Sequence, residues 1–115
     1  MEIRVESVFE EEFQKCALYA FEEFGTKAAL NWNKQYSAIR HRLNLMPESF
    51  PPAAYFRKRT KVFRGAIIMK NFKIIYFYNE QKGILWLVDL WDMRQYPEKL
   101  KLRARARKIE HTRYN

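Results

Sequence analysis

The chain has 115 residues, of which 48% are hydrophobic and 17% aromatic, so we predict one packed domain rather than a disordered binder. Its formal net charge of +9 predicts an acidic partner, such as nucleic acid, an acidic protein segment or a membrane surface. Cys16 is the only cysteine, which excludes an internal disulfide framework and a thiolate metal cluster and favours a cytoplasmic setting.

The charge is distributed unevenly along the chain. The first 24 residues sum to about −5, so the remainder sums to about +14 and concentrates the basic charge on the later elements. No apolar stretch approaches the roughly 20 residues that span a bilayer. The first residues also lack the basic and apolar regions of a signal peptide. We therefore expect a soluble protein with no role in a membrane.

The first half of the chain predicts a short strand followed by two helices. Polar and apolar residues alternate from Glu2 to Glu6, which indicates an edge strand. Ser7 followed by Glu10 fits a capping box at the start of a helix that Gly25 ends. The buried side of this helix has residues at helical spacing: Phe9, Phe13, Cys16, Ala20 and Phe24.

A second helix follows Gly25 directly, with Thr26 as its predicted cap and an end before Pro47. The short link makes the two helices an antiparallel hairpin. Its buried side is predicted at Ala29, Trp32, Tyr36, Ile39 and Leu43. Three prolines at positions 47, 51 and 52 then indicate a connector without regular structure.

The second half predicts three strands in a meander, because apolar and aromatic runs alternate with turn residues. The runs are Phe63 to Met69, Phe72 to Tyr78 and Ile84 to Trp91. The predicted fold class is thus α+β, a small antiparallel sheet of order β-α-α-β-β-β with the helical hairpin on one face. Residues 1–98 form the predicted domain. Residues 99–115 form a basic tail that Pro97 could start as a helix, with too little apolar surface to pack firmly.

This order resembles the RelE/ParE family of toxins from bacterial type II toxin–antitoxin modules, over roughly residues 2 to 100. The resemblance rests on a short first strand, a long helix that Ser7 opens, and a second helix that ends in Leu43-Asn44-Leu45-Met46-Pro47. It also rests on the strand entry Phe63-Arg64-Gly65 and the Tyr-rich strand up to Tyr78. It rests above all on the last strand, which ends in Asp92-Met93-Arg94-Gln95-Tyr96-Pro97.

The resemblance implies a toxin that arrests growth and that a cognate antitoxin protein neutralises. RelE-like members cut mRNA in the ribosome without a metal, whereas ParE-like members block DNA gyrase. The sequence leaves both branches open and does not decide whether the chain is an enzyme. If it is one, it is a metal-independent endoribonuclease. The last strand's ending is closer to the ParE-like pattern, and neither His41 nor His111 lies in the meander.

Metal-free RNA cleavage needs a base, an acid and cations for the developing phosphorane charge. The residues with suitable chemistry in the meander and its exit are Arg64, Lys73 and Arg94 as cations, Asp92 as a base, and Tyr96 for base stacking or proton transfer. Adjacent strands are expected to bring the cations onto one exposed face of the sheet. No cofactor is predicted, because glycine-rich phosphate loops and metal-ligand spacings are absent from the sequence.

Two further basic segments are predicted to contact nucleic-acid phosphates, namely Arg57, Lys58, Arg59 and Lys61 before the meander and Arg103, Arg105 and Arg107 in the tail. Each of these cations has the alternative role of a solvated surface charge. Arg64 and Arg94 have the further alternative of an ion pair with Asp89 or Asp92. The alternative function is a non-catalytic RNA-binding module with a basic, aromatic sheet surface. A toxin-like fold kept as a scaffold is a third hypothesis.

Overall fold

A computed structural model describes residues 1–55 and 62–109, with side chains described up to residue 106. Within these ranges the chain forms three helices and four strands. In chain order they are β1 (Glu2–Val5), α1 (Ser7–Phe24), α2 (Thr26–Leu45), β2 (Phe63–Ile68), β3 (Phe72–Asn79), β4 (Ile84–Asp92) and α3 (Pro97–Ile109). The predicted α+β class and the predicted order of elements are confirmed over these residues.

The strands form one sheet in the order β1-β4-β3-β2. The predicted meander is confirmed, since β2 pairs antiparallel with β3 and β3 antiparallel with β4. The prediction of a wholly antiparallel sheet is wrong, because β1 pairs with β4 in parallel. A hairpin turn forces antiparallel pairing, but β1 reaches the sheet through two helices and is free of that constraint.

The helical hairpin packs on one face of the sheet, here called the hairpin face. Gly25, with φ at +83°, separates α1 from α2 as predicted. The helices start one residue earlier than the sequence indicated, with Glu6 and Gly25 at the cap positions. The core on this face is built from the following fully or almost fully buried side chains: Phe9, Trp32, Ile39, Leu43, Ala66, Ile68, Ile74, Tyr76, Leu85, Leu87 and Leu90.

The opposite face of the sheet is covered by α3 and is here called the α3 face. Leu100 and Ala104 are only 3% and 2% exposed, so the expectation of too little apolar surface to pack firmly is wrong for the described part of the tail. These two apolar residues lie one helical turn apart and face the sheet together. They pack into a second cluster with Ala53, Phe63, Ile75, Phe77, Val88 and Trp91. The domain boundary predicted at residue 98 falls in the first turn of α3.

An irregularity in β4 helps to hold α3 on the sheet. The register between β3 and β4 shifts between Ile75 and Tyr76, which leaves Val88 as an extra residue in β4. Such a bulge turns two successive side chains towards the same side. The Asp89 carboxylate is consequently buried on the α3 face, where it pairs with Arg103 of α3. Its second oxygen accepts a hydrogen bond from the Trp91 indole at 3.0 Å.

None of the helices in the described ranges is long and apolar enough to cross a membrane.

Candidate functional site

The candidate site lies where β4 ends. Asp92 is the last residue of the strand, and its Oδ1 accepts a hydrogen bond from the backbone N–H of Arg94 at 3.0 Å. The Arg94 guanidinium also bonds to both carboxylate oxygens, with Nε to Oδ1 at 2.9 Å and a terminal nitrogen to Oδ2 at 3.0 Å. A short Asp-x-Arg turn therefore fixes the direction of Arg94 as the chain leaves the sheet.

Packing against the ring of Phe72 also helps to position the Arg94 guanidinium. Phe72, which lies opposite Asp92 in the β3–β4 pair, has its ring centroid 5.5 Å from the Arg94 Cζ atom. The Arg94 side chain nevertheless stays 56% exposed. It borders a shallow cavity of about 290 Å³ on the α1 side of the strand end, lined by Glu12, Lys15, Cys16, Tyr19, Phe72, Asp92, Arg94 and Gln95. Arg94 is thus held in place yet open to a partner.

The ionisation of these groups disfavours general-base chemistry. Hydrogen bonding from Arg94 holds the pKa of the Asp92 carboxyl below its ordinary value. An effective general base has a pKa near the working pH, so this carboxylate is a poor acceptor for the proton of a ribose hydroxyl. Burial raises the pKa of the Cys16 thiol to about 11, so the thiolate form is scarce at neutral pH. This cavity favours binding through Arg94 over proton transfer.

Tyr96 lies beyond Arg94, at the start of α3. Its carbonyl accepts hydrogen bonds from the backbone N–H groups of Lys99 at 3.0 Å and Leu100 at 3.3 Å, so its backbone opens the helix. Its side chain is 81% exposed. An exposed aromatic ring two residues along the chain from a fixed cation is a suitable contact for a partner surface.

The other two predicted catalytic cations lie on different faces of the sheet. Arg64 is paired with Tyr76 in the β2–β3 ladder and therefore lies on the hairpin face. Lys73 is paired with Trp91 and lies on the α3 face. The prediction that Arg64, Lys73 and Arg94 gather on one exposed face is therefore wrong. Successive side chains of a strand point to opposite faces of the sheet. Tyr76, the ladder partner of Arg64, is three residues from Lys73 along β3, so Arg64 and Lys73 lie on opposite faces.

Arg64 holds a loop in place. Its guanidinium donates a hydrogen bond to the Phe50 carbonyl at 2.8 Å, and the hydroxyl of its neighbour Tyr76 donates one to the Pro47 carbonyl at 2.8 Å. Arg42 contacts the same connector from α2, with its guanidinium 4.0 Å from the centre of the Phe50 ring. These contacts fix the proline-rich connector against the sheet, which is a structural role for Arg64.

Lys73 packs its aliphatic stem across the α3 face of the β2–β3 pair. A Cβ atom built on Gly65 would lie 2.6 Å from the Cδ atom of Lys73, so the stem occupies the space above this glycine. Gly65 thus lets the stem lie flat on the sheet.

The predicted phosphate contacts are placed only in part. Arg57, Lys58, Arg59 and Lys61 lie outside the described residues, and so does the side chain of Arg107. Arg103 forms the ion pair with Asp89 and is mostly buried, so the expectation of a free phosphate contact is wrong for it. Its burial follows from Leu100 and Ala104, which turn this side of α3 towards the sheet. Arg105 is exposed.

The aromatic residues of the meander mostly pack in the core. Tyr76 and Trp91 are fully buried, one on each face, and Tyr78 and Trp86 are partly buried against the two clusters. Base stacking needs an open aromatic face. Because the aromatic side chains of the meander are buried or partly buried in the described part of the chain, that part of the sheet lacks the stacking platform that the RNA-binding alternative requires.

Sequence reasoning missed the contribution of α1 to the site. Glu12, Cys16 and Tyr19 line the cavity because they recur at helical spacing on the side of α1 that borders the strand end. The helical spacing was visible in the sequence, but the strand end that this side of α1 borders depends on the packing angle of the hairpin. Phe72 was predictable from the hairpin register, as the residue opposite Asp92.

No group of three or more histidine, cysteine or carboxylate side chains is arranged to hold a metal ion in the described parts of the chain. The chain matches no model of a known protein family, and it matches no curated protein.

Proposed function

We propose that this chain is the toxin of a two-protein toxin–antitoxin pair of the RelE/ParE type, with a fold of that family. Its order of strands and helices, with an α1–α2 hairpin on one face of a short sheet, supports this proposal. The observation that carries the proposal is the exit of β4, where Asp92 and Phe72 orient an exposed Arg94. This is the segment on which the family resemblance chiefly rests.

The toxin acts by binding its target and not by cutting RNA. A nuclease needs its cations and its base around one phosphate. Here Arg64 and Lys73 lie on opposite faces of the sheet, and the candidate base Asp92 has a lowered pKa and both oxygens bonded to Arg94. DNA gyrase is the target that the family resemblance implies for a toxin that leaves RNA intact.

The neutralising partner is an acidic antitoxin segment laid over the β4 exit. The net charge of +9 favours an acidic ligand, and Arg94 and Tyr96 offer it an exposed cation beside an exposed ring. A carboxylate from the partner competes with Asp92 for the guanidinium, and the tyrosine ring supplies apolar contact area.

Induced expression of the chain in bacteria tests this proposal. We expect growth to stop when the chain is expressed alone, and we expect the Arg94→Ala variant to lose at least about tenfold in potency, a typical loss for a binding anchor. Growth is measured as colony counts after induction, with protein levels measured in parallel. The thermal stability of the variant should stay close to that of the wild type, because Arg94 is exposed.

Arg4 provides a matched control for Arg94. Its guanidinium also pairs with both oxygens of a carboxylate two residues away, that of Glu2, and it also lies 5.5 Å from an aromatic ring centre, that of Trp86. It lies on β1, away from the β4 exit cavity. We expect Arg4→Ala to arrest growth like the wild type. Undiminished growth with wild-type protein, or full toxicity of Arg94→Ala, would overturn the proposal.

A further inference from the structure

The tip of the helical hairpin carries large apolar side chains in solvent. Phe24 at the end of α1 is 69% exposed, so the prediction that it lies on the buried side of this helix is wrong. Leu30 in the first turns of α2 is 63% exposed. Leu18 and Phe21 of α1 are at least half exposed as well. These four residues are here called the hairpin patch. Leu18, Phe21 and Phe24 recur every three residues along α1, and exposed apolar side chains grouped on a small domain indicate a surface that another molecule covers.

The hairpin patch continues into an open groove. Phe24 and Leu30 line it together with Ala28 of α2 and Met69, the residue that follows β2, and its volume is about 650 Å³. Met69 is fixed at this position, since its backbone N–H donates a hydrogen bond to the Gln35 side chain at 2.8 Å. The groove is a preformed apolar surface of the kind that accepts a side chain from a partner.

Charges of both signs flank the patch. Glu22 and Glu23 lie near the end of α1, and Lys27 and Lys34 line the groove along α2. All four side chains are exposed, and none of them forms an ion pair with another described residue. The hairpin tip therefore has an acidic helix end next to a basic helix start, with apolar side chains between them.

We propose that the hairpin patch is a docking surface for a second copy of this chain. In a two-fold symmetric pair each patch contacts the same patch of its partner, so the surface has to complement itself. When the two copies are related by a two-fold rotation, Glu22 and Glu23 of one copy face Lys27 and Lys34 of the other. The phenylalanine and leucine side chains then pack at the centre. This pairing is independent of the β4 exit and of the toxin proposal.

The mixed charge decides between a second copy and a foreign acidic partner. An acidic helix seated in the groove would be attracted by Lys27 and Lys34 but repelled by Glu22 and Glu23 beside them. A second copy satisfies all four charges at once, because it brings two acids and two bases in the reverse order. The self-complementary arrangement thus selects the copy as the occupant.

Sedimentation equilibrium of the full-length chain, made by cell-free synthesis, tests the proposal. We expect a monomer–dimer equilibrium within about 1 to 100 µM, a range around the Kd of a weak specific contact. Leu30→Glu should raise the Kd at least about tenfold, since it places a charge in the apolar centre. Leu45→Glu is the matched control, because Leu45 lies at the other end of α2 and is 65% exposed. It should leave the Kd unchanged.

A charge-exchange experiment tests the predicted pairing itself. We expect the variant Glu22→Lys with Glu23→Lys to be monomeric, and the variant Lys27→Glu with Lys34→Glu to be monomeric as well, because like charges meet in each symmetric pair. An equal mixture of the two variants should form a dimer, since every reversed charge then meets its opposite. Circular dichroism of each variant confirms that these exposed substitutions leave the fold intact.

Any of three results would overturn the proposal. The first is a wild-type chain that stays monomeric over the whole concentration range. The second is a dimer that Leu30→Glu leaves as tight as before, and the third is a pair of charge variants that fail to associate when mixed. Growth arrest is measured separately with the Arg94→Ala variant, so failure of the dimer leaves the toxin proposal standing.

Discussion

Tyr76 packs on the hairpin face of β3, where its ring is fully buried and its hydroxyl donates a hydrogen bond to the Pro47 carbonyl. Burial raises the pKa of the Tyr76 phenol to about 12 from an ordinary value of 10.0. The folded chain therefore keeps this phenol neutral at a pH at which the unfolded chain ionises it.

This difference between the folded-state and unfolded-state pKa of the phenol predicts that the folded chain loses stability at alkaline pH. A raised folded-state pKa contributes stability that is complete below pH 10.0 and falls away as the pH rises towards 12. The Tyr76→Phe variant lacks the ionisable group, so between pH 9 and about pH 11 its free energy of unfolding should fall less than that of the wild type, by about 1.4 kcal/mol. Urea unfolding at pH 9 and at about pH 11 measures both slopes. Identical slopes for the two proteins would contradict the assignment.

Asp92 has the opposite dependence on pH. Because Arg94 lowers the pKa of this carboxyl, its stabilising contribution is present above its ordinary value of 3.8 and is lost as the pH falls below it. The pair is partly exposed, so the contribution should be under about 1 kcal/mol. At pH 7 the free energy of unfolding of the Asp92→Asn variant, measured in urea, should be lower than that of the wild type by this amount. Near pH 2 the two free energies of unfolding should be the same. A variant that differs equally at both pH values would show that the charge is unimportant.

Whether a single residue's role was predictable depended on its neighbours along the chain. Arg94 follows the last strand and its partner Asp92 is two residues away, so its place at the strand end followed from sequence. Arg64 and Lys73 lie on neighbouring strands, and their faces depend on the β2–β3 register. A register shifted by one residue would place Arg64 on the same face as Lys73, and apolar residues on both faces left the register open.

α3 is held on the sheet by the buried pair of Asp89 and Arg103 in addition to Leu100 and Ala104. Removing Arg103 leaves the Asp89 carboxylate buried with hydrogen bonds from Leu90 and Trp91 but without its cation. We expect Arg103→Ala to destabilise the fold by about 3 kcal/mol, the loss typical of a broken buried pair.

The exposed Arg105 is the matched control for Arg103, two residues further along α3. Arg105→Ala should change the free energy of unfolding by less than about 0.5 kcal/mol in the same chemical denaturation experiment. Combining Asp89→Asn with Arg103→Leu removes both charges and should recover part of the loss. Equal effects of Arg103→Ala and Arg105→Ala would contradict an anchoring role for the buried pair.

The elements themselves followed closely from the sequence. Gly25 between two helical stripes predicted the hairpin, and three aromatic runs separated by turns predicted the meander. The parallel direction of β1 and the docking of α3 were not predictable in the same way. The partner of β1 lies about 80 residues away, and among the side chains of α3 that the structure describes only Leu100 and Ala104 are buried.

Over the described residues of the molecule, helices pack on both faces of the sheet, and exposed groups suited to a partner include those at the β4 exit and at the hairpin tip. The β4 exit presents Arg94 and Tyr96, and the hairpin tip presents Phe24 and Leu30. The net charge of +9 draws acidic molecules towards such exposed sites and speeds their association. Binding at the β4 exit is thus the activity that the arrangement of charges and exposed groups favours.

The integrity of messenger RNA in cells arrested by the induced chain separates binding from cleavage. Primer extension on abundant messages, before and after induction, compares the wild type with Arg94→Ala. We predict that growth stops with messages intact in the wild type, and that growth continues in the variant. Messages cut inside codons in the wild type but not in the variant would contradict a toxin that acts by binding alone.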